Sequence, residues 1–171
     1  MGIESTGYKI VLVLHILCAI VGFGTVLLNG LYGREAKRRP GPGGLAISEA
    51  NLTVSAVAEY FIYAVFVFGL ALVFMSDDAW KFDQTWIWLA IALYLVGIGV
   101  SHGIVIPNAR RMRDLAAELV AGGAPPPGAP AGPPPQVAEM ERREKTLGAA
   151  SGFLDILLVV ILVLMIWKPG A

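Results

Sequence analysis

Charge is what this 171-residue sequence most lacks: Asp, Glu, Lys and Arg make up 15% of it, against roughly a quarter of an ordinary soluble domain. The deficit is localised. Four long blocks carry almost no charge, and the acids and bases collect between them, which is the pattern of a lipid-facing chain. Cysteine is nearly absent as well. Cys18 stands alone inside the first apolar block, which excludes an intramolecular disulfide. No HExxH or CxxC metal motif is present, nor any internal repeat of the kind on which alternating-access transporters rest. Lys plus Arg and Asp plus Glu balance at 13 each, so no overall basic character points to nucleic acid as a partner.

Apolar residues, at 56% of the chain, fill the four blocks. Spans at 8–31, 54–75, 85–107 and 148–167 each match a hydrocarbon core of about 30 Å at about 1.5 Å per helical residue. The expected fold is an all-α membrane protein, an antiparallel four-helix transmembrane bundle, with 1–171 as a single domain whose first partner is the lipid bilayer. Too little chain remains for a soluble catalytic domain. A signal peptide is not the expected reading of the first block, which is too long for an h-region.

Orientation follows from the cations. Arg34, Lys37, Arg38 and Arg39 occupy the first connection, and Arg110, Arg111, Arg113, Arg142, Arg143 and Lys145 the third. The second, SDDAWKFDQ at 76–84, is net acidic. The expectation is a bacterial cytoplasmic membrane protein with both termini outside, and an outer aromatic belt of Trp80, Trp86, Trp88 and Trp167. The Pro/Gly-rich segment 121–136 reads as an extended cytoplasmic spacer. A basic amphipathic stretch to Leu119 precedes it, and a charged helical lead-in to the fourth span follows.

Ionisable groups inside spans mark function by default, because each costs at least a few kcal/mol at the bilayer centre. Four are found: His15, Glu59, His102 and Asp155. By depth, Glu59, His102 and Asp155 come from three spans to one layer about 8–11 Å above the cytoplasmic face, with Asn29 just below it. Stripes of small residues accompany them, among them Gly22 on the first span, Gly99 on the third, and Gly148, Ser151 and Gly152 on the fourth. Such stripes are expected to face into the bundle. The inner cluster has three readings: helix register, with pairing to His102 and to Arg110 or Arg111; proton or ion handling; or a metal site. His15 stands apart in the outer half. It differs from His102 in depth by at least about 12 Å, so the two cannot clamp one haem within a chain. A haem on His15 would take Met165, the His15 of a second copy, or no protein ligand on its other side. The bland reading is a buried histidine hydrogen-bonded to a neighbour.

The run LHILCAIVGFG at 14–24, the basic connection after it and VIPNARR at 105–111 resemble small bacterial membrane proteins. That group includes the copper-resistance CopD family, the HemJ-type protoporphyrinogen oxidases and a related family of unknown function, to which the likeness is greatest. The resemblance implies four spans and, through the first-helix histidine, a haem b ligand at His15. Phe23 replaces a tryptophan common in such openings, and the lysine and further histidine of HemJ-type proteins have no counterpart here. Two functional expectations result. The first is a non-enzymatic membrane component, an accessory or structural subunit that meets a membrane-complex partner or a copy of itself. The alternative is a haem-binding or redox protein using His15.

Overall fold

A computed structural model describes residues 2–122, 132 and 134–170. Every regular element among them is helical: α1 Thr6–Arg38, α2 Pro42–Phe74, α3 Thr85–Val100, α4 Ile106–Gly122 and α5 Pro135–Trp167, with a π-helical segment Ser101–Val105 joining α3 to α4. Thr6–Arg38, Pro42–Phe74, Thr85–Gly122 and Pro135–Trp167 are the four runs long and apolar enough to cross a membrane. A 33-residue helix is about 50 Å long, roughly 20 Å more than the hydrocarbon core, so each helix carries polar turns beyond its span. Residues 123–131 and 133 of the expected spacer lie outside the described residues; 121–122 and 135–136 are helical.

The described residues divide into two compact units, each built from parts of several helices. The first comprises Met1–Leu27, Val54–Ile98 and Asp155–Ala171. Here α1 and α2 touch at Gly22, where a Cβ would stand 2.9 Å from Ile62 Cγ1 and 3.1 Å from the Ile62 nitrogen. Only glycine permits that approach, the small-residue device by which helices associate in lipid. Cys18 and Ala58 are buried along the same contact. Gly22 meets Ala58 and Ile62 while His15 meets Val65 and Gly69, so α1 and α2 run in opposite directions. Against α3, the Phe66 and Tyr94 rings stack at 5.0 Å, and the Tyr94 hydroxyl donates to the Ile62 carbonyl at 3.1 Å.

The loop after α2 is tied by Ser76, which is 1% exposed. Its Oγ lies 2.8 Å from the Val73 carbonyl, to which it donates, and accepts from the Trp80 N–H at 3.0 Å. Asp77 and Asp78 take left-handed φ values of 55° and 66°, which aspartate tolerates better than most residues. The expected aromatic belt needs correction at Trp86. Trp86 is buried, and Trp80 meets it edge-to-face at 5.5 Å. Trp80 Nε1 donates to the Tyr8 hydroxyl at 3.0 Å, and Lys168 Nζ lies 4.0 Å over the Trp80 ring. Quadrupole and cation–π attraction hold these rings together; Trp86 packs against protein, and Trp80 stays half-buried. Trp88 and Trp167 are exposed, as a belt requires.

The second unit comprises Leu28–Thr53 and Gly99–Leu154. Where a longer basic loop was expected between the first two spans, α1 runs on to Arg38 and α2 starts at Pro42. The sequence PGPGG at 40–44 explains the tight turn. Gly41 has φ 82°, Pro42 opens α2 where its missing donor costs nothing, and a Cβ on Gly44 would lie 2.5 Å from the Ala36 and Arg39 carbonyl oxygens. The π-helical turn has an equally local cause. Pro107 cannot donate and its ring crowds the carbonyl four residues back, and the chain answers with a wider turn in which Ile106 N–H reaches Ser101 O.

A second expectation is also corrected here. At Gly99, Gly148 and Gly152 a Cβ would meet nothing within 4 Å. These small residues therefore face open space among the described residues, unlike Gly22, whose Cβ would meet Ile62. Glycine permits contact but does not create it; a neighbour of matching shape must lie opposite.

Candidate functional site

His15 sits half-buried on α1, its Nδ1 2.9 Å from the carbonyl oxygen of Val65 on α2. A carbonyl only accepts, so Nδ1 carries the hydrogen. In the neutral ring, Nε2 then holds the free lone pair, the tautomer by which a histidine serves as a ligand while its other nitrogen is fixed by a backbone oxygen. Gly69 makes room for the ring: a Cβ there would lie 3.2 Å from His15 Cε1 and 3.5 Å from Nδ1. Val65 and Gly69 are the seat of His15. The legible sign in the sequence was one glycine inside an otherwise bulky run, FVFGLALVF at 66–74.

The inner residues divide between the units. Glu59 and Asp155 belong to the first, His102 and Asn29 to the second. Glu59 accepts a hydrogen bond from the Tyr63 hydroxyl, one turn along α2. That partner was visible as an i, i+4 pair. Asp155 is half-buried on α5 and makes no hydrogen bond or ion pair among the described residues, to Glu59 or any other group. His102 is exposed within the π-helical turn, and Asn29 is half-buried on α1. Single π-type turns in helices are frequent at functional sites, and this one carries an intramembrane histidine.

The pairing once expected between the inner carboxylates and Arg110 or Arg111 goes elsewhere for Arg111. Its guanidinium lies 3.1 Å from Glu118 and 3.6 Å from Glu139. Arg143 donates twice to Glu139, at 2.9 and 2.7 Å, and once to Asn108 Oδ1 at 2.8 Å. Asn108 in turn donates to the Ile104 carbonyl at 2.8 Å, capping an acceptor beside the distorted turn. Lys37 reaches Glu144 at 2.9 Å. Asn108–Arg143 and Arg111–Glu139 show α4 and α5 running antiparallel. Arg111 lies beyond its span, where carboxylates on neighbouring polar turns are reached without desolvating either partner. Sequence reading placed Asn108 only in a resemblance; its bridging role depends on α5 lying alongside.

Two tests of bound groups follow from this geometry. Among the described residues no three His, Cys, Asp and Glu side chains are grouped to hold a metal ion. For haem, the fit is confined to one nitrogen, His15 Nε2. The apolar recesses at Val100–Phe153 and at Val73–Phe82 are not lined by His15.

A family model described as "Predicted integral membrane protein (DUF2269)" matches residues 9–169. No curated protein and no solved structure matches the chain. The likeness to CopD and HemJ-type proteins stays with the sequence motifs alone.

Proposed function

The chain belongs to that family of integral membrane proteins, and from this premise we propose that it is a non-enzymatic membrane component that works by assembly, as an accessory subunit docking another membrane-embedded chain. Asp155 carries the reading. A carboxylate within a span, with no partner among the described residues, costs at least a few kcal/mol unless another group satisfies it. Helical spacing places Gly148, Ser151 and Gly152 on the same face of α5 as Asp155, and the two glycines are open to close approach. A helix presenting a hydrogen-bond donor fits that face. In this reading Glu59 and His102 serve helix register.

Photo-crosslinking in native membranes tests it. A probe introduced at Gly148 or Gly152 should give a discrete protein adduct, at twice the chain mass for a self-partner, and Asp155→Leu should abolish it. Adducts with lipid alone, or adducts indifferent to Asp155, refute assembly through this face.

A second reading is favoured by the His15 tautomer: a haem-binding protein in which His15 Nε2 would hold the iron, and the haem would supply redox chemistry. His15 and Val65 would fix the ligand's orientation. A Soret band in the purified protein that disappears in His15→Ala and persists in His102→Ala is the expected result. Protein that carries no haem after expression with ample supply removes this reading.

The membrane orientation belongs with the same proposal: both termini outside, in the cytoplasmic membrane of a bacterium. The second unit holds ten Lys and Arg against seven Asp and Glu, and the first holds three against six. That asymmetry supports a cytoplasmic position for the second unit's polar turns.

A further inference from the structure

An open apolar recess of about 490 Å³ lies in the second unit, lined by Val100, Ile104, Thr146, Ala149, Ala150 and Phe153. Its volume falls within the range of about 300–1,000 Å³ typical of small-molecule sites. Its walls are the inner ends of the third and fourth spans, so hydrocarbon is its natural surrounding. On α5, Arg142 and Lys145 stand four residues before Thr146 and Ala149, one turn towards the polar end and on the same face. Both are exposed, and neither side chain makes an ion pair or hydrogen bond among the described residues. Their neighbours differ: Arg143 is taken by Asn108 and Glu139, and Lys37 by Glu144.

We infer that this part of the chain is a binding site for an anionic phospholipid, with an acyl chain in the recess and the headgroup phosphate between Arg142 and Lys145. Two independent observations converge on that chemistry. The recess takes an apolar chain and offers little else, and the two cations at its mouth, unpaired among the described residues, complement a phosphodiester at headgroup depth. A free phosphate would leave the recess unused. A zwitterionic lipid would bring a compensating cation to Arg142 and Lys145. The inference goes beyond the assembly reading and does not depend on Asp155.

Native mass spectrometry of the full chain in mild detergent tests it, titrating phosphatidylglycerol against phosphatidylcholine with identical acyl chains. The wild type should retain phosphatidylglycerol in preference by about thirtyfold, roughly five- to sixfold for each cation. Arg142→Gln with Lys145→Gln should remove the preference and leave phosphatidylcholine retention unchanged. Both positions are exposed, so folding does not confound this arm. Ala149→Phe, which fills the recess, should lower retention of both lipids, with Thr146→Leu as a milder alternative if that variant melts early. Equal retention of the two lipids by wild type overturns the inference. So does a preference that survives the double substitution, or a filled recess that retains lipid as before.

Discussion

The contact at Gly22 makes a quantitative prediction because Gly24, two residues on along α1, provides its own control. A Cβ at Gly22 would lie 2.9 Å from Ile62 Cγ1, 3.1 Å from the Ile62 nitrogen and 3.5 Å from the Ala58 oxygen; at Gly24 it would meet nothing within 4 Å. The Ile62 side chain can rotate away, but its backbone nitrogen cannot, so α1 must move off α2 by a few tenths of an ångström. Overpacking of this kind costs about 1–3 kcal/mol, while replacing a helical glycine by alanine gains roughly 0.8–1.0 kcal/mol at either position. Gly24→Ala should therefore be neutral or slightly stabilising. Gly22→Ala should destabilise by up to about 2 kcal/mol, and the difference between the variants isolates packing at about 1–3 kcal/mol. Equilibrium unfolding by an ionic detergent, followed by the fluorescence of Trp80 and Trp86, measures both. Gly22→Leu should go further and loosen the His15 bond to Val65, about 10 Å away along the same face. If Gly22→Ala and Gly24→Ala unfold together, the close approach of α1 and α2 is wrong.

Ser76→Ala should destabilise by about 1–3 kcal/mol, because the part-buried Trp80 N–H loses its acceptor; thermal melting in detergent checks this, and an unchanged midpoint contradicts the loop geometry. A double-mutant cycle of Asn108→Ala and Arg143→Ala should return a coupling of at least about 0.5 kcal/mol, and additive effects would show that the 2.8 Å bond between them is idle. Topology is read with a membrane-impermeant maleimide on intact cells, in a Cys18→Ala background. Asp78→Cys should be labelled and Gly43→Cys protected, and the reverse pattern inverts the orientation. Position 43 suits the probe because its Cβ meets only Arg39, at 3.7 Å, whereas position 44 would clash with backbone.

Much of the architecture is legible in the sequence because lipid imposes one simple demand. A backbone crossing hydrocarbon must satisfy itself, and four long apolar blocks can do so only as helices. The turn between α1 and α2 is likewise written locally in PGPGG, and the π-helical turn in Pro107. The candidate residues His15, Glu59, His102 and Asp155 stand out for the same reason: charge and hydrogen-bonding groups in a solvent that cannot meet their needs are conspicuous.

Their partners are another matter. That His15 rests on Gly69 and donates to the Val65 carbonyl depends on the rotation and register of α1 against α2, which period and composition leave open. Trp80 and Trp86 both have the character of interfacial residues, and only the tertiary structure buries Trp86 and sets Tyr8 and Lys168 against Trp80. Glycines at Gly22 and Gly99 look alike in a stripe, yet one meets Ile62 and the other meets nothing. Hydropathy and helical period determine that a segment crosses the bilayer and which residues share a face. Whether that face meets a helix, a lipid or another chain is decided by side chains distant in sequence, and so only by the tertiary structure.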